Sequence, residues 1–498
     1  MTFTQLVLLM ITALGTVQLE RLRKPASSGL GAIALHLLIM FTLFLTAYGL
    51  TRRFYFSLLC ALCVQLIFII VNNAKYRFLR EALVFADLAL YSQAIRFPRL
   101  YLPFIGAAPA IGGAVAIIGS ITIATLYEPP SALFAQSAWL DGLAALLLAA
   151  LLIPLLLKLA AHRPVTLDAN HDTARYGLLP TLAIYASQAS QMPELEPRTF
   201  VAPSSRPNLI AIQSESFFDA RRLDNNIRPN VLQHFDRLCA QSQAFGRLQV
   251  PAWGAYTMRS EFAFLTGQAN SALGFGRFDP LRYFQGKVQI SGAGSLAANL
   301  KQQGYRCICI HPYPAEFFAR HRIYPELGFD EFIDIRSFAS TDRTGPYTSD
   351  AAVCERIISE LSSSTQPLFI FAITMENHGP LHLESITADE RNAFFSQPTT
   401  AADDNLAVYL RHLNNADQML DQLSRYLTDE DPAAVLAWYG DHVPGMPDIY
   451  QTRNYEDPST DYLIWSANSA TASPTTAKDI CVEVLPDHLL GTTESPKT

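Results

Sequence analysis

Five apolar segments crowd the first third of this chain, at 3–19, 29–50, 54–73, 103–126 and 138–158. A bilayer core takes about 20 apolar residues, a length that the last four meet and the first reaches marginally. Everything before residue 160 therefore reads as a transmembrane helical region. The first segment has neither a basic n-region nor a small-residue cleavage site, so it is expected to be an uncleaved anchor. The third and fourth segments are joined by a stretch over 74–102 that is amphipathic and basic at both ends, which suits the membrane interface.

At 498 residues the chain holds more than one domain. Half of it is hydrophobic and 16% is charged, where soluble chains carry about a quarter charged residues. That excess sits in the membrane third, and the rest has an ordinary α/β composition. Residues 1–160 form the membrane domain and 161–205 a linker. The linker's apolar patch GLLPTLAIYA (177–186) could rest on the membrane, and a run rich in Pro and Ser follows it. Residues 206–498 then form the soluble domain, with a low-complexity tail. With a net charge of −7, nothing suggests a nucleic-acid partner. The cysteines are uninformative: Cys60 and Cys63 have no polar neighbours and read as buried thiols. The other five leave an odd count, from which one disulfide is conceivable but not derivable.

Short apolar runs at 208–213, 305–311, 368–374, 434–440 and 462–466 read as buried parallel strands, separated by helical patterns. The fold class is α/β, an open and mostly parallel sheet with helices on both faces. Ligands of such sheets bind beyond the carboxyl ends of the strands. Four of these ends are chemically loaded, with Ser214-Glu215-Ser216, His311, Met375-Glu376-Asn377-His378-Gly379 and Gly440-Asp441-His442. A lone histidine is more often structural, but four loaded ends together mark a site. Glu215, Asp441 and His442 make an O/O/N set suited to a divalent ion such as Mn²⁺ or Zn²⁺.

Thr257 opens an amphipathic helix after a Gly-containing turn, in PAWGAYTMRSEFAFLTG (251–267). In isolation a threonine there is an N-cap. Beside a metal set it becomes a candidate nucleophile, because a helix start favours anions and the ion lowers the hydroxyl's pKa. No G-x-S-x-G elbow, P-loop or H-E-x-x-H motif competes. His378 and His382 are four apart, but Gly379-Pro380 argues against one helix presenting both.

Glu215 in QSESFFD, Thr257 in GAYTMRSEFAFLTG, His378 in MENHGP and Asp441-His442 in YGDHVP resemble the motifs of the lipoteichoic acid synthase and phosphoglycerol transferase family, within the alkaline phosphatase/sulfatase superfamily. The resemblance covers about 206 to 466 and extends to the five-helix membrane part. It implies that Thr257 is the nucleophile and that Glu215, Thr257, Asp441 and His442 bind one divalent ion, usually Mn²⁺, with Zn²⁺ or Mg²⁺ as alternatives. The segment HPYPAEFFARHRIYPELGFDEF is similar to the family's glycerol-phosphate recognition segment, so His311 and Arg320 would hold phosphate or glycerol oxygens. Phe318 stands where an indole is often seen. His378 would bind the transferred phosphate or protonate the leaving oxygen. Arg259 is either a phosphate clamp or the partner of Glu261 or another carboxylate.

The resemblance further implies transfer of phosphoglycerol from phosphatidylglycerol to a glycan or glycerol-phosphate polymer, with a multi-pass inner-membrane anchor and an outward catalytic domain. Basic residues argue the other way. Arg21, Arg23, Lys24, Lys75, Arg77, Arg80, Arg96 and Arg99 share the soluble domain's side of a five-span topology, against Arg52 and Arg53 opposite. Long domains translocate largely regardless of charge, so the outward placement is the expectation. The rival readings are a phosphoethanolamine transferase, a sulfatase-type hydrolase and a non-catalytic lipid-binding scaffold.

Overall fold

The computed structural model describes residues 2–25, 32–88, 112, 115, 118–123, 126–134, 137–191, 193–287, 294–469 and 476–492. The chain divides into two compact units, 1–192 and 193–498.

In the first unit, four helices among the described residues are long and apolar enough to cross a membrane. They are Phe3–Leu22, Ile33–Thr51, Phe54–Leu79 and Trp139–Ala161. The predicted fourth segment, 103–126, lies largely outside the described residues, so four spans are seen among the described residues where the sequence suggests five. The third helix runs to Leu79, which makes the start of the expected interfacial stretch a continuation of a span. Two shorter helices, Ala169–Tyr176 and Leu178–Gln188, follow the last span, and the second is largely buried within this unit. Arg23, counted above as a loop charge, is buried with its Nε donating to Glu20 at 2.9 Å. The Glu20 carboxylate also accepts from the Leu178 N–H at 3.0 Å. A buried charge is retained only where it is paired in this way.

The second unit is built on strands β1 (Leu209–Ser214), β2 (Ala244–Gln249), β3 (Arg306–Ile310), β4 (Glu331–Ile333), β5 (Arg343–Thr344), β6 (Tyr347–Thr348), β7 (Leu368–Ile373), β8 (Val435–Gly440), β9 (Thr460–Trp465) and β10 (Ile480–Cys481). Eight of them form one sheet in the order β10-β2-β9-β8-β1-β7-β3-β4, and β5 and β6 make a separate hairpin. The block β8-β1-β7-β3-β4 is parallel, whereas β9 runs antiparallel to both β8 and β2. All five predicted strands are present within two residues of their expected bounds, but the last of them, β9, is antiparallel where a parallel strand is expected. β2, β4 and β10 were not foreseen.

Strands β1 and β7 are buried at every residue, so both faces of the sheet are covered. One face packs Ile210, Ile370 and Trp438 against helices Asp350–Ser363 and Asp404–Glu430. On the other, Phe264 of helix Thr257–Thr266 stacks on Phe371 of β7 and Tyr439 of β8, with ring centroids 5.5 and 5.2 Å apart. These contacts set that helix across two of the strands whose ends carry the site. All seven cysteines are free thiols, which excludes the conceivable disulfide.

Where β8 ends, a Cβ on Gly440 would sit 1.8 Å from the backbone carbonyl oxygen of Phe217. Neither backbone can yield without moving the residues next to Glu215 and Asp441. Gly440→Ala is therefore expected to cost more than about 4 kcal/mol or to prevent folding, read as lost expression or a collapsed melting transition.

Candidate active site

Strands β8, β1, β7 and β3 lie side by side and parallel, so their carboxyl ends deliver Asp441-His442, Glu215, His378 and His311 to one edge. Backbone pairing holds the loops together beyond the strands. The Glu215 N–H donates to Thr374 Oγ1 at 2.9 Å, and the N–H groups of Ser216 and His442 both donate to Asp441 Oδ1 at 2.9 Å. Ser260 Oγ donates to the Asp441 carbonyl at 2.7 Å, which anchors the helix that begins at Thr257 to the same loop.

Glu215, Asp441 and His442 are buried, and one ligand atom from each lies within 4.8 Å of the others. His442 Nδ1 is 3.1 Å from the Val443 carbonyl. A carbonyl only accepts, so Nδ1 carries the proton and Nε2 is left bare. That Nε2 is 3.2 Å from Asp441 Oδ2, 3.7 Å from Glu215 Oε1 and 3.5 Å from Thr257 Oγ1. Asp441 Oδ2 is buried and accepts no hydrogen bond among the described residues. Two carboxylates and a bare nitrogen turned towards one point, with an orphaned buried oxygen among them, fit a divalent cation.

Thr257 is the first helical residue, not the cap. The cap is Tyr256, held in the left-handed region at φ 70°, and its side chain makes no capping hydrogen bond. The competition between cap and nucleophile thus disappears, because the Thr257 hydroxyl faces His442 and leaves the helix's own N–H groups alone. A non-glycine residue in that conformation is uncommon outside turns and sites.

Burial, and then the neighbouring Asp441, push the Glu215 carboxyl up to about 8. Its folded value lies above the unfolded 4.5, so without an ion its contribution to stability is full below about 4.5 and is lost as pH rises through about 8. A cation bound by Glu215 would reverse that loss. Mn²⁺ at a hundred times its Kd is expected to stabilise the protein by about 2.7 kcal/mol. The gain in melting temperature should widen between about pH 4.5 and 8 and vanish in Glu215→Gln, as read by thermal melts with and without the ion.

His311 and Arg320 also come together. Arg320 Nη1 donates to His311 Nε2 at 3.2 Å, and His311 Nδ1 lies 3.1 Å from the Ile373 carbonyl. Burial, then the Arg320 charge, hold His311 well below its ordinary pKa, in the neutral form. Burial opposes the Arg320 charge as well, but Glu261 more than offsets it. Glu261 accepts from Arg320 Nε at 3.2 Å and from Arg320 Nη2, and Tyr324 Oη adds a bond of 2.7 Å. The carboxylate that the sequence offers to Arg259 thus serves Arg320, a pairing across 59 residues with no local signature. Arg259 is buried with its guanidinium 4.2 Å from the Tyr256 ring centroid. Phe318, at φ 54°, packs its ring 5.1 Å from the Arg320 guanidinium. His378 is half-buried, its Nδ1 2.6 Å from the Gly379 carbonyl and its ring 5.2 Å from that of Tyr347. Burial lowers its pKa. Ser216, whose hydroxyl donates to Glu215 Oε1 at 2.8 Å, and Ser260 are support residues that the motifs alone did not single out.

Residues 207–490, more than half of the chain, match the sequence pattern of the family described as sulfatase. The chain is 28% identical over 445 residues to the capsular polysaccharide biosynthesis protein RkpI of Rhizobium meliloti strain 1021, covering 83% of this chain and 78% of that one. It is 29% identical over 153 residues to lipoteichoic acid synthase 1 of Bacillus subtilis strain 168, covering 30% of this chain and 23% of that protein. The structure of the Streptococcus pyogenes phosphoglycerol transferase GacH with sn-glycerol-1-phosphate is 25% identical, with a TM-score of 0.46, and covers 57% of this chain and 74% of that one.

Proposed function

This chain belongs to the sulfatase family, and from that membership we propose that it is a membrane-bound phosphoglycerol transferase. The observation that carries this reading is the convergence of Glu215, Asp441 and His442 on one point, with the Thr257 hydroxyl 3.5 Å from His442 Nε2. One divalent ion, Mn²⁺ before Zn²⁺ or Mg²⁺, would be held by Glu215, Thr257, Asp441 and His442. When bound it supplies charge that lowers the hydroxyl's pKa and neutralises a phosphoryl oxygen.

In this reading Thr257, its hydroxyl proton released to water beforehand, attacks the phosphorus of phosphatidylglycerol through Oγ, and the bond to the diacylglycerol oxygen breaks. His378, as the imidazolium, gives that oxygen its proton. The glycerophosphoryl group stays on Thr257 until an acceptor hydroxyl on a glycan or polymer takes it, returning a proton to His378. Arg320 and His311 bind the anionic headgroup, and Arg259 and Phe318 line its approach. A lipid donor also gives the apolar helices a purpose, because it must be met at the bilayer surface. The catalytic unit then faces outward from the cytoplasmic membrane.

The test is to incubate the purified protein with labelled phosphatidylglycerol and Mn²⁺ and to seek glycerophosphate on the peptide containing Thr257 by mass spectrometry. An adduct supports the proposal. Absence of the adduct, together with full activity in Thr257→Ala, ends it.

A further inference from the structure

Behind His378 lies a buried ionic cluster that the reaction does not use directly. The loop 375–384 begins with a tight turn, in which the His378 N–H donates to the Met375 carbonyl at 3.1 Å, and carries a carboxylate near each end. At the first, Glu376 Oε1 accepts from His412 Nδ1 at 2.9 Å and Asn415 Nδ2 at 2.6 Å, while Oε2 accepts from the Asp350 N–H at 2.7 Å. At the second, Glu384 Oε1 accepts from His412 Nε2 at 2.9 Å and Oε2 accepts from Arg411 Nη2 at 2.7 Å. His412, fully buried on the helix Asp404–Glu430, therefore presents both ring nitrogens to carboxylates, which only an imidazolium satisfies.

We propose that His412 is a positioning residue, an imidazolium clamp that ties both ends of the loop 375–384 to the helix Asp404–Glu430 and so fixes the ring of His378 at the site. Burial opposes its charge, but the hydrogen bonds to Glu376 and Glu384 more than compensate and raise its pKa to about 9. The charged groups around it are Glu376 and Glu384 from the loop, Asp350 from helix Asp350–Ser363 and Arg411 from its own helix. Asp350 is held well above the usual carboxylate range by burial and by Glu376.

The β5-β6 hairpin closes over the same loop. Tyr347 Oη donates to the Gly379 carbonyl at 3.2 Å. At the hairpin turn Gly345 has φ 63°, and a Cβ there would lie 2.6 Å from the Glu384 carboxylate. The clamp thus acts through His378 by geometry alone; only its kinetic consequence rests on the role given to His378 above.

The experiment uses the full chain with Mn²⁺ in nanodiscs of phosphatidylcholine and phosphatidylglycerol. Hydrogen exchange by mass spectrometry would compare wild type, His412→Gln and Glu384→Gln. Peptides over 375–384 are expected to exchange at least about ten-fold faster in both variants, with β1 and β8 unchanged. Turnover of labelled phosphatidylglycerol should fall about 10²-fold in kcat with KM nearly constant, the mark of a misplaced group and not of lost binding. The double variant should be no worse than the poorer single one. Unchanged loop exchange in Glu384→Gln, or loss of protection spread evenly over the sheet, overturns the clamp. Should His412→Gln not fold, Glu384→Gln at the cluster's rim decides alone. If the wild type turns over no lipid while the loop loosens as expected, the clamp stands and the donor assignment falls.

Discussion

Thr257→Ala is expected to abolish group transfer, by about 10⁴-fold or more, while leaving the protein folded. The two halves of that expectation come from the same geometry. The cap position belongs to Tyr256 and the Thr257 hydroxyl faces His442, so removing it is expected to deprive no backbone N–H of a partner. A stability change within about 0.5 kcal/mol follows. The hydroxyl instead faces the bare Nε2 of His442, where it is replaceable by nothing else on the helix. Thr257→Ser keeps the oxygen and should retain activity, reduced by the freer rotamer of an unbranched side chain. Measuring turnover of labelled phosphatidylglycerol beside a thermal melt separates the two effects. An Ala variant that melts normally and still transfers would move the nucleophile elsewhere.

The sequence displayed the parallel half of the sheet clearly because each of those strands is a short, unbroken apolar run, and such runs arise only where both faces are covered. The antiparallel margin was harder to see. β2 is AFGRLQ, with polar Arg247 and Gln249 and an interruption at Gly246, and β10 is two residues long, so neither shows a period. The chemistry at strand ends was legible for a related reason, since a polar cluster directly after an apolar run has one place to go in such a fold. What could not be read was the partner of each charge. Glu261 lies two residues from Arg259, yet its carboxylate is taken by Arg320, 59 residues away. His412 sits in an ordinary amphipathic helix, and its two carboxylates lie 36 and 28 residues before it. Such pairings come from packing, and no spacing rule encodes them.

The Glu261–Arg320 pair gives the second large effect. Both side chains are fully buried, and the guanidinium fork is spread across both carboxylate oxygens. Guanidinium cannot shed its charge inside a protein. Glu261→Gln therefore leaves an uncompensated buried cation and is expected to cost about 3–5 kcal/mol by chemical denaturation. The same cation is proposed to receive the anionic headgroup, which turns a stability measurement into a test of function. An anion bound at Arg320 would restore part of the lost balance. Saturating sn-glycerol-1-phosphate should then stabilise Glu261→Gln more than it stabilises the wild type, by the difference in its affinity for the two. Arg320→Lys should abolish the added response, because an ammonium offers no fork for two phosphate oxygens. Equal stabilisation of wild type and Glu261→Gln would mean that Arg320 faces protein only, and that the headgroup is held elsewhere.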